Sequence, residues 1–438
     1  MFQPPHLKEA VPAEAVSREA LFTDPPTAKT TWVSDRARKV LHSHLRDLQG
    51  GQLVIREGHR RTIFGRLLKP SDIAAEIHVR DGRFFSSILL SGSLGAAEAY
   101  LDGWWDSPHL TPVIRLMARN RRAAGRLEGG LVAVRRMLNK MTHFLRTNTR
   151  LGSRRNIEAH YDLGNELFER FLDDSMTYSS ALFPTPEATL EEAQEAKLDA
   201  LCRKLQLRPQ DHVLEIGTGW GSFALHAASR YGCLVTTTTI SPSQHREALR
   251  RVEEAGLEDR ITLLQRDYRD LSGNFDKIVS IEMIEAVGHR YFDTFFSTCD
   301  RLLKPGGLMA LQAITIADRN YESAKHSVDF IQRYIFPGGA LPSTAALCSS
   351  IARASSLTPV HLEEIGLHYA ETLLRWRRRF EANWREISRF GYSERFRRLW
   401  RFYFCYCEGG FRERVISDIQ LILAGPSFRD ETIRGTLP

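Results

Sequence analysis

One strand, one glycine loop and one helix start constrain this chain more than anything else in it. The text VLEIGTGWGSFALHAA begins at Val213. An apolar strand ends in Glu215-Ile216, Gly217, Gly219 and Gly221 follow at two-residue spacing, and a helical pattern then begins. Glycine lacks Cβ, so the chain can turn tightly there and let a ligand approach its backbone. The helix start adds free N–H groups and a partial positive end. A dinucleotide pyrophosphate is suited by GxGxxG, whereas the spacing here is GxGxG. An acidic group at Glu215 repels phosphates and suits a ligand ammonium. Together these favour a nucleoside that carries an amino acid.

The surrounding text keeps the same rhythm. Val213 to Ile216, Leu234 to Thr239, Ile261 to Gln265, Lys277 to Ile281 and Leu308 to Ile314 are short apolar or β-branched runs, mostly separated by helical segments. That pattern predicts an α/β fold with a doubly wound, Rossmann-like parallel sheet. After the second run, Thr239 sits near Gln244, where ribose hydroxyls can be met. After the third, Asp267 can accept from an adenine amino group and Tyr268 can stack on its ring. In this order the elements resemble the class I S-adenosylmethionine-dependent methyltransferases, which makes S-adenosylmethionine the expected cofactor.

Three regions are expected. Residues 1–30 are rich in Pro, Ala and Glu and read as a flexible tail; 31–145 read as a small α+β N-terminal domain ending in a basic linker helix; 146–438 read as the catalytic domain. The net charge of +7 is unevenly spread: Arg115 to Arg155 holds twelve Lys/Arg against one Glu, which leaves the rest of the chain at −4. Within that segment Leu127, Leu131, Val134, Leu138, Met141 and Leu145 share one helical face, with Arg135, Arg136, Lys140 and Arg146 off it. Two readings stay open, a surface helix packed on a domain and a basic amphipathic helix on an anionic membrane surface. No uninterrupted apolar run approaches the ~20 residues of a membrane span. The six cysteines have no metal-ligand spacing and read as reduced thiols of a cytoplasmic protein.

Longer stretches narrow the family. NIEAHYDLGNELFERFLDDSMTYSSALF from Asn156, SIEMIEAVG from Ser280, DFIQRYIFPGGALPS from Asp329 and GLHYAETLLRW from Gly366 together resemble the cyclopropane-fatty-acyl-phospholipid synthases. GSLGAAEAYLDGWW from Gly92 resembles that family's N-terminal domain. The resemblance implies transfer of a methylene from S-adenosylmethionine to the cis double bond of an unsaturated phospholipid acyl chain, giving a cyclopropane fatty acid. It implies a bound bicarbonate ion as the base. It implies cofactor contacts at Tyr178 and Ser179, a carboxylate holding the bicarbonate at Glu285, and Tyr369 in the same cluster. Ser180 and Gln312 stand where the best-known bacterial members have Cys and His; here they match the plant-type synthases. Glu282, three residues before Glu285, reads as a solvated or capping side chain. The resemblance also implies a homodimer, peripheral on the inner face of the membrane.

Two further stretches bear on substrate. Tyr334 to Gly339 is apolar and turn-forming, and is either core or the wall of an acyl tunnel. Arg375 to Arg401 interleaves ten Arg with aromatic residues. It reads first as helices with a buried aromatic face, then as membrane contact, and least as a nucleic-acid surface, for which no module is recognisable. Two alternatives stand beside ring formation. One is a fatty-acyl C-methyltransferase giving a methyl- or methylene-branched chain or a furan precursor. The other is a soluble small-molecule methyltransferase.

Overall fold

The computed structural model describes residues 32–120 and 163–429. By contacts the chain divides into two compact units. One comprises Met1–Thr142, Val328–Phe330 and Arg377–Glu413; the other comprises His143–Ser327, Ile331–Trp376 and Arg414–Pro438.

The first unit holds a four-stranded sheet in the order β2-β1-β3-β4. Strands β1 (Gly51–Glu57) and β2 (Arg60–Gly65) form an antiparallel hairpin, turning at Gly58 with φ +56°. Strand β3 (Ile73–Val79) runs parallel to β1, and β4 (Trp105–Asp106) closes the edge antiparallel to β3. The helix Arg83–Leu101 is, among the described residues, the one helix long and apolar enough to cross a membrane. It is broken at Gly92 (φ 58°, ψ −135°), and Phe84, Phe85, Leu94, Ala97 and Tyr100 are buried in the unit.

The helix Glu394–Arg412 also belongs to this unit, so residues 377–413 leave the region that the sequence assigned as one catalytic domain, 146–438. Its apolar face (Phe396, Trp400, Phe404) is buried, while Arg398 bonds Asp106 at 3.1 Å and Glu408 accepts from Thr111 at 2.8 Å. Arg397 pairs with Glu381 and Arg395 with Asp102. The arginine-aromatic stretch is therefore core plus surface, the first of its three readings. Periodicity shows that a face is apolar but not which element covers it.

The second unit carries a seven-stranded sheet in the order β10-β11-β9-β8-β5-β6-β7. Strands β5 (His212–Ile216), β6 (Leu234–Thr238), β7 (Ile261–Leu264), β8 (Phe275–Ile281) and β9 (Leu303–Ile316) pair in parallel. All five fall where the apolar runs place them. Helices such as Ser222–Tyr231 and Pro242–Glu254 link successive strands, as parallel pairing requires. Strands β10 (Thr358–Glu364) and β11 (Ile416–Ala424) add an antiparallel edge, so the sheet is mixed rather than wholly parallel. No residue of β10 is fully buried, which suits an edge strand and hides it from a search for apolar runs.

The predicted basic helix, with Arg135, Arg136, Lys140 and Arg146, lies outside the described residues. Two members of the basic segment are described: Arg115 and Arg119 both pair with Glu413, at 2.7 and 2.6 Å, inside the first unit.

Candidate active site

The glycine loop forms at the C-terminal end of β5, where open α/β sheets place ligands. Gly217, Gly219 and Gly221 all have positive φ, at 103°, 55° and 90°. The N–H groups of Gly217 and Thr218 are bound by Thr238 O, which fixes the loop against β6. A Cβ at Gly217 would press on Met283 at 3.2 Å, whereas at Gly219 it would meet nothing within 4 Å. One side of the loop is thus packed and the other open to a ligand.

Glu215 is enclosed rather than exposed at the loop. It accepts from Thr237 Oγ1 at 2.6 Å, and burial pushes its carboxyl up to about 8. Thr239 and Gln244 are also buried and bond each other at 3.1 Å. Asp267 caps a short turn and is engaged by Arg269 through Nη2 at 2.6 Å, so an adenine amino group would compete with that arginine. The Tyr268 ring stands edge-on to Phe295, 5.5 Å between centroids. These residues occupy the ends of β5, β6 and β7 in the expected order.

A second cluster forms at the ends of β8 and β9. Glu282 follows β8 directly, and its φ of 48° puts a non-glycine residue in the left-handed region. That conformation costs on the order of 1–3 kcal/mol and persists only where its surroundings hold it. Here Glu282 N donates to Gln312 O at 2.8 Å. The carboxylate is then the focus of three donors. Oε1 accepts from Ser180 N at 2.8 Å and from Gln312 Nε2 at 2.9 Å, and Oε2 accepts from the Tyr369 hydroxyl at 2.8 Å. Glu282 is therefore neither solvated nor a cap.

Glu285 stands beside this ring rather than at its centre. Its Oε1 accepts from Ile314 N, while its buried Oε2 has no hydrogen-bond partner among the described residues. Burial and the facing Glu282 charge push it up to about 8. Asp418 on β11 accepts from Gln312 Nε2 at 3.1 Å, and burial with the Glu282 and Glu285 charges holds it well above the usual carboxylate range. Gln312 is fixed in turn by Gln420, whose Nε2 donates to its Oε1 at 3.0 Å across the β9–β11 pairing. Lys197, fully buried on the helix Leu190–Lys204, is the cation of the region. It donates to Ser179 Oγ at 2.8 Å, and burial lowers it to about 8 against the raising pull of Glu282 and other acids.

The segment Tyr178–Ser180 is held from two sides. Gln194 Nε2 donates to Ser179 O at 2.9 Å. The helix Gly366–Ala382 supplies Thr372, which accepts from Ala181 N at 3.1 Å, as well as Tyr369. The Ser180 hydroxyl turns to Ala181 O, which leaves its backbone N–H to Glu282. Tyr178 lies among aromatic rings, with centroids 5.2 Å from Trp376, 5.3 Å from Phe168 and 6.3 Å from Phe336. Trp220, inside the glycine loop, is 5.0 Å from Phe168, and Tyr369 is 6.0 Å from Trp376. An aromatic wall thus joins loop and carboxylate cluster, and the stretch Tyr334 to Gly339 contributes Phe336 to it. Ala340 N donates to Glu285 O at 2.8 Å, which ties that stretch to the cluster.

The structure thus brings Ser180, Glu285, Gln312 and Tyr369 together, as expected from sequence, but centres them on Glu282. Lys197, Asp418 and Gln420 were not singled out in the sequence. Only the three-residue spacing of the glutamates in EMIE hinted at a pair. Bicarbonate does not fit this ring as it stands. The donors that would bind it already converge on one carboxylate, and Glu285 and Asp418 add further acidic groups close by.

Comparison with known proteins agrees with this architecture. The mycolic acid cyclopropane synthetase family model matches residues 149–421. The cyclopropane-fatty-acyl-phospholipid synthase of Escherichia coli is 39% identical over 360 residues, covering 79% of this chain and 86% of that protein. The tuberculostearic acid methyltransferase UfaA1 of Mycobacterium tuberculosis is 39% identical over 355 residues, covering 76% and 80%. Among solved structures, the cyclopropane synthase MmaA2 of Mycobacterium tuberculosis has a TM-score of 0.58 at 30% identity and covers 62% of this chain and 98% of its own. The mycolic acid cyclopropane synthase CmaA1, complexed with SAH and CTAB, matches equally with a TM-score of 0.58 at 32% identity, covering 62% and 98%. The chain belongs to the mycolic acid cyclopropane synthetase family.

Proposed function

We propose that this protein transfers a one-carbon unit from S-adenosylmethionine to the cis double bond of an unsaturated phospholipid acyl chain and closes a cyclopropane ring. The observation that carries this is the join between glycine loop, aromatic wall and carboxylate cluster. Tyr178, Ser179, Gly217, Gly219, Gly221, Thr239, Gln244, Asp267 and Tyr268 are the residues that would hold the cofactor, with Glu215 at the strand end before the loop. The bound cofactor supplies an electrophilic methyl whose S–C bond electrons stay on sulfur. An alkene is a weak nucleophile and becomes cationic as it takes that methyl. The half-buried face of Tyr178 suits such a charge, since aromatic faces attract cations. A carboxylate nearby suits the proton that must then leave.

The acyl chain belongs to a membrane lipid, so the enzyme works at a bilayer. The +11 segment supports attachment to an anionic surface, at about 1 kcal/mol for each engaged Lys or Arg and less in salt. A cytoplasmic enzyme, peripheral on the inner face and dimeric, is the form this reading takes. The test is incubation of the protein with unsaturated phospholipid vesicles and methyl-labelled S-adenosylmethionine, followed by gas chromatography and mass spectrometry of the acyl esters. Label in a ring supports the proposal. Cofactor binding with no label in the acyl chains sinks it. Label in a methyl branch favours the second reading, for which the 39% identity to UfaA1, a tuberculostearic acid methyltransferase, is the specific observation.

A further inference from the structure

We infer that the carboxylate of Glu282 is itself the base of this enzyme, seated where three donors would otherwise bind an inorganic anion, so that the reaction needs no bicarbonate. The inference rests on the function proposed above and concerns its last step.

Three observations carry it. The first is convergence. Ser180 N–H, Gln312 Nε2 and the Tyr369 hydroxyl come from three separate segments, yet all point at one carboxylate, at 2.8, 2.9 and 2.8 Å. Two backbone or side-chain donors on one oxygen and a hydroxyl on the other bind any small carboxylate or carbonate, and Glu282 supplies that group from the chain. The second is backbone geometry. A left-handed φ at a glutamate is retained at the end of β8, where it directs this side chain inward. The third is the spare oxygen. Oε2 of Glu282 accepts from the tyrosine hydroxyl, a single donor against the two on Oε1, so a lone pair remains for a proton. Asp418, which shares a hydrogen bond with Glu282, is the neighbour that can share that proton.

The step balances without an outside reagent. After methyl transfer the new methyl group bears the hydrogen to be lost, and the adjacent chain carbon bears the positive charge. One C–H bond of that methyl breaks and its electron pair forms the second ring bond to the cationic carbon. The proton goes to Glu282, which becomes a neutral acid and later releases it to water. The groups that face Glu282 set when it is ionised. Glu285 and Asp418 oppose its charge, Lys197 supports it, and Tyr369 supports it by donating.

The experiment uses the full chain, unsaturated phospholipid vesicles and methyl-labelled S-adenosylmethionine, in buffer purged of carbon dioxide and again with added sodium bicarbonate. The wild-type protein is expected to form product at the same rate in both. Glu282→Ala is expected to lose product formation in purged buffer by at least about 100-fold, the lower range for removal of a general base. It is expected to regain activity with bicarbonate in a dose-dependent way, because Ser180, Gln312 and Tyr369 are then free to bind it. Its affinity for S-adenosylhomocysteine, read by calorimetry, is expected to stay unchanged. Wild-type activity that collapses in purged buffer and returns with bicarbonate overturns the inference, whether or not the variant folds. Equal activity of Glu282→Ala in purged buffer overturns it as well. No label in acyl chains from the wild type under either condition is failure of the proposed function instead.

Discussion

The hydroxyl of Tyr369 donates to Oε2 of Glu282 at 2.8 Å, joining a helix that begins at Gly366 to the end of β8. The bond is charge-assisted, and it fixes a carboxylate that two other acids, Glu285 and Asp418, and Lys197 also influence. Tyr369→Phe keeps the ring that packs on Trp376 and removes only the donor. Loss of one such bond costs about 1–3 kcal/mol. Product formation on vesicles should fall by about 10- to 100-fold at that cost, with cofactor affinity unchanged. A variant as active as wild type would show that the bond has no part in the reaction.

Gly217 carries a different prediction. Its φ of 103° and the approach of Met283 at 3.2 Å leave an alanine both strained and crowded. Gly217→Ala should weaken S-adenosylhomocysteine binding by about tenfold or more, since each 1.4 kcal/mol is a factor of ten. Isothermal calorimetry reads this directly. The same substitution at Gly219 meets no neighbour, so its cost comes from φ alone and from whatever ligand lies on the open side.

Acidity should set a slope in stability. Burial raises Glu215 and Glu285 to about 8, above their unfolded value of 4.5. Between those values the folded chain binds more protons than the unfolded chain, so stability falls as pH rises through that window. Lys197, lowered to about 8, has the opposite sign between 8 and its unfolded 10.5, where the folded chain binds fewer protons and stability rises with pH. Thermal unfolding of the cofactor-free protein from pH 5 to 8 should show Tm declining. Glu285→Gln should flatten that decline; an unchanged slope would remove Glu285 as a source of it.

Lys197 should also act on the reaction profile. Its charge pulls Glu282 toward the ionised form, against burial and the neighbouring acids. Lys197→Met should therefore move the acidic limb of the pH–rate profile upward and lower the rate at neutral pH. A lower rate with an unmoved limb would mean that the lysine serves only to seat Ser179.

Membrane attachment gives a prediction of its own. Vesicle co-sedimentation should require anionic lipid and weaken as salt rises, because exposed charge pairs are screened. Replacing Arg135, Arg136 and Lys140 by Gln should lower binding and the rate on vesicles together. Salt-insensitive binding would overturn the membrane role of this segment.

Much of the site is legible in the sequence. The loop announces itself because glycines at 217, 219 and 221 are needed for backbone reasons that sequence records directly. Ser180, Gln312 and Tyr369 were legible through the resemblance. Glu282 was not, because a glutamate after an apolar strand looks like any surface acid until the backbone turns left-handed beneath it. Asp418 and Gln420 were hidden for another reason. They are polar residues inward on β11, a strand whose partner β9 lies about a hundred residues earlier in the chain, and local periodicity cannot report long-range pairing. The placement of residues 377–413 with the first unit was hidden in the same way.

Strand β11 also has a consequence for how the enzyme is born. During synthesis, β9 leaves the ribosome as an uncovered edge and stays so until Ile416–Ala424 follows. Until then Gln312 lacks Gln420, and the acid cluster lacks Asp418. A chain cut before Ile416 would lack both of the β11 side chains that bond Gln312. The strand that covers the open edge of β9 is thus the same strand that completes the acid cluster.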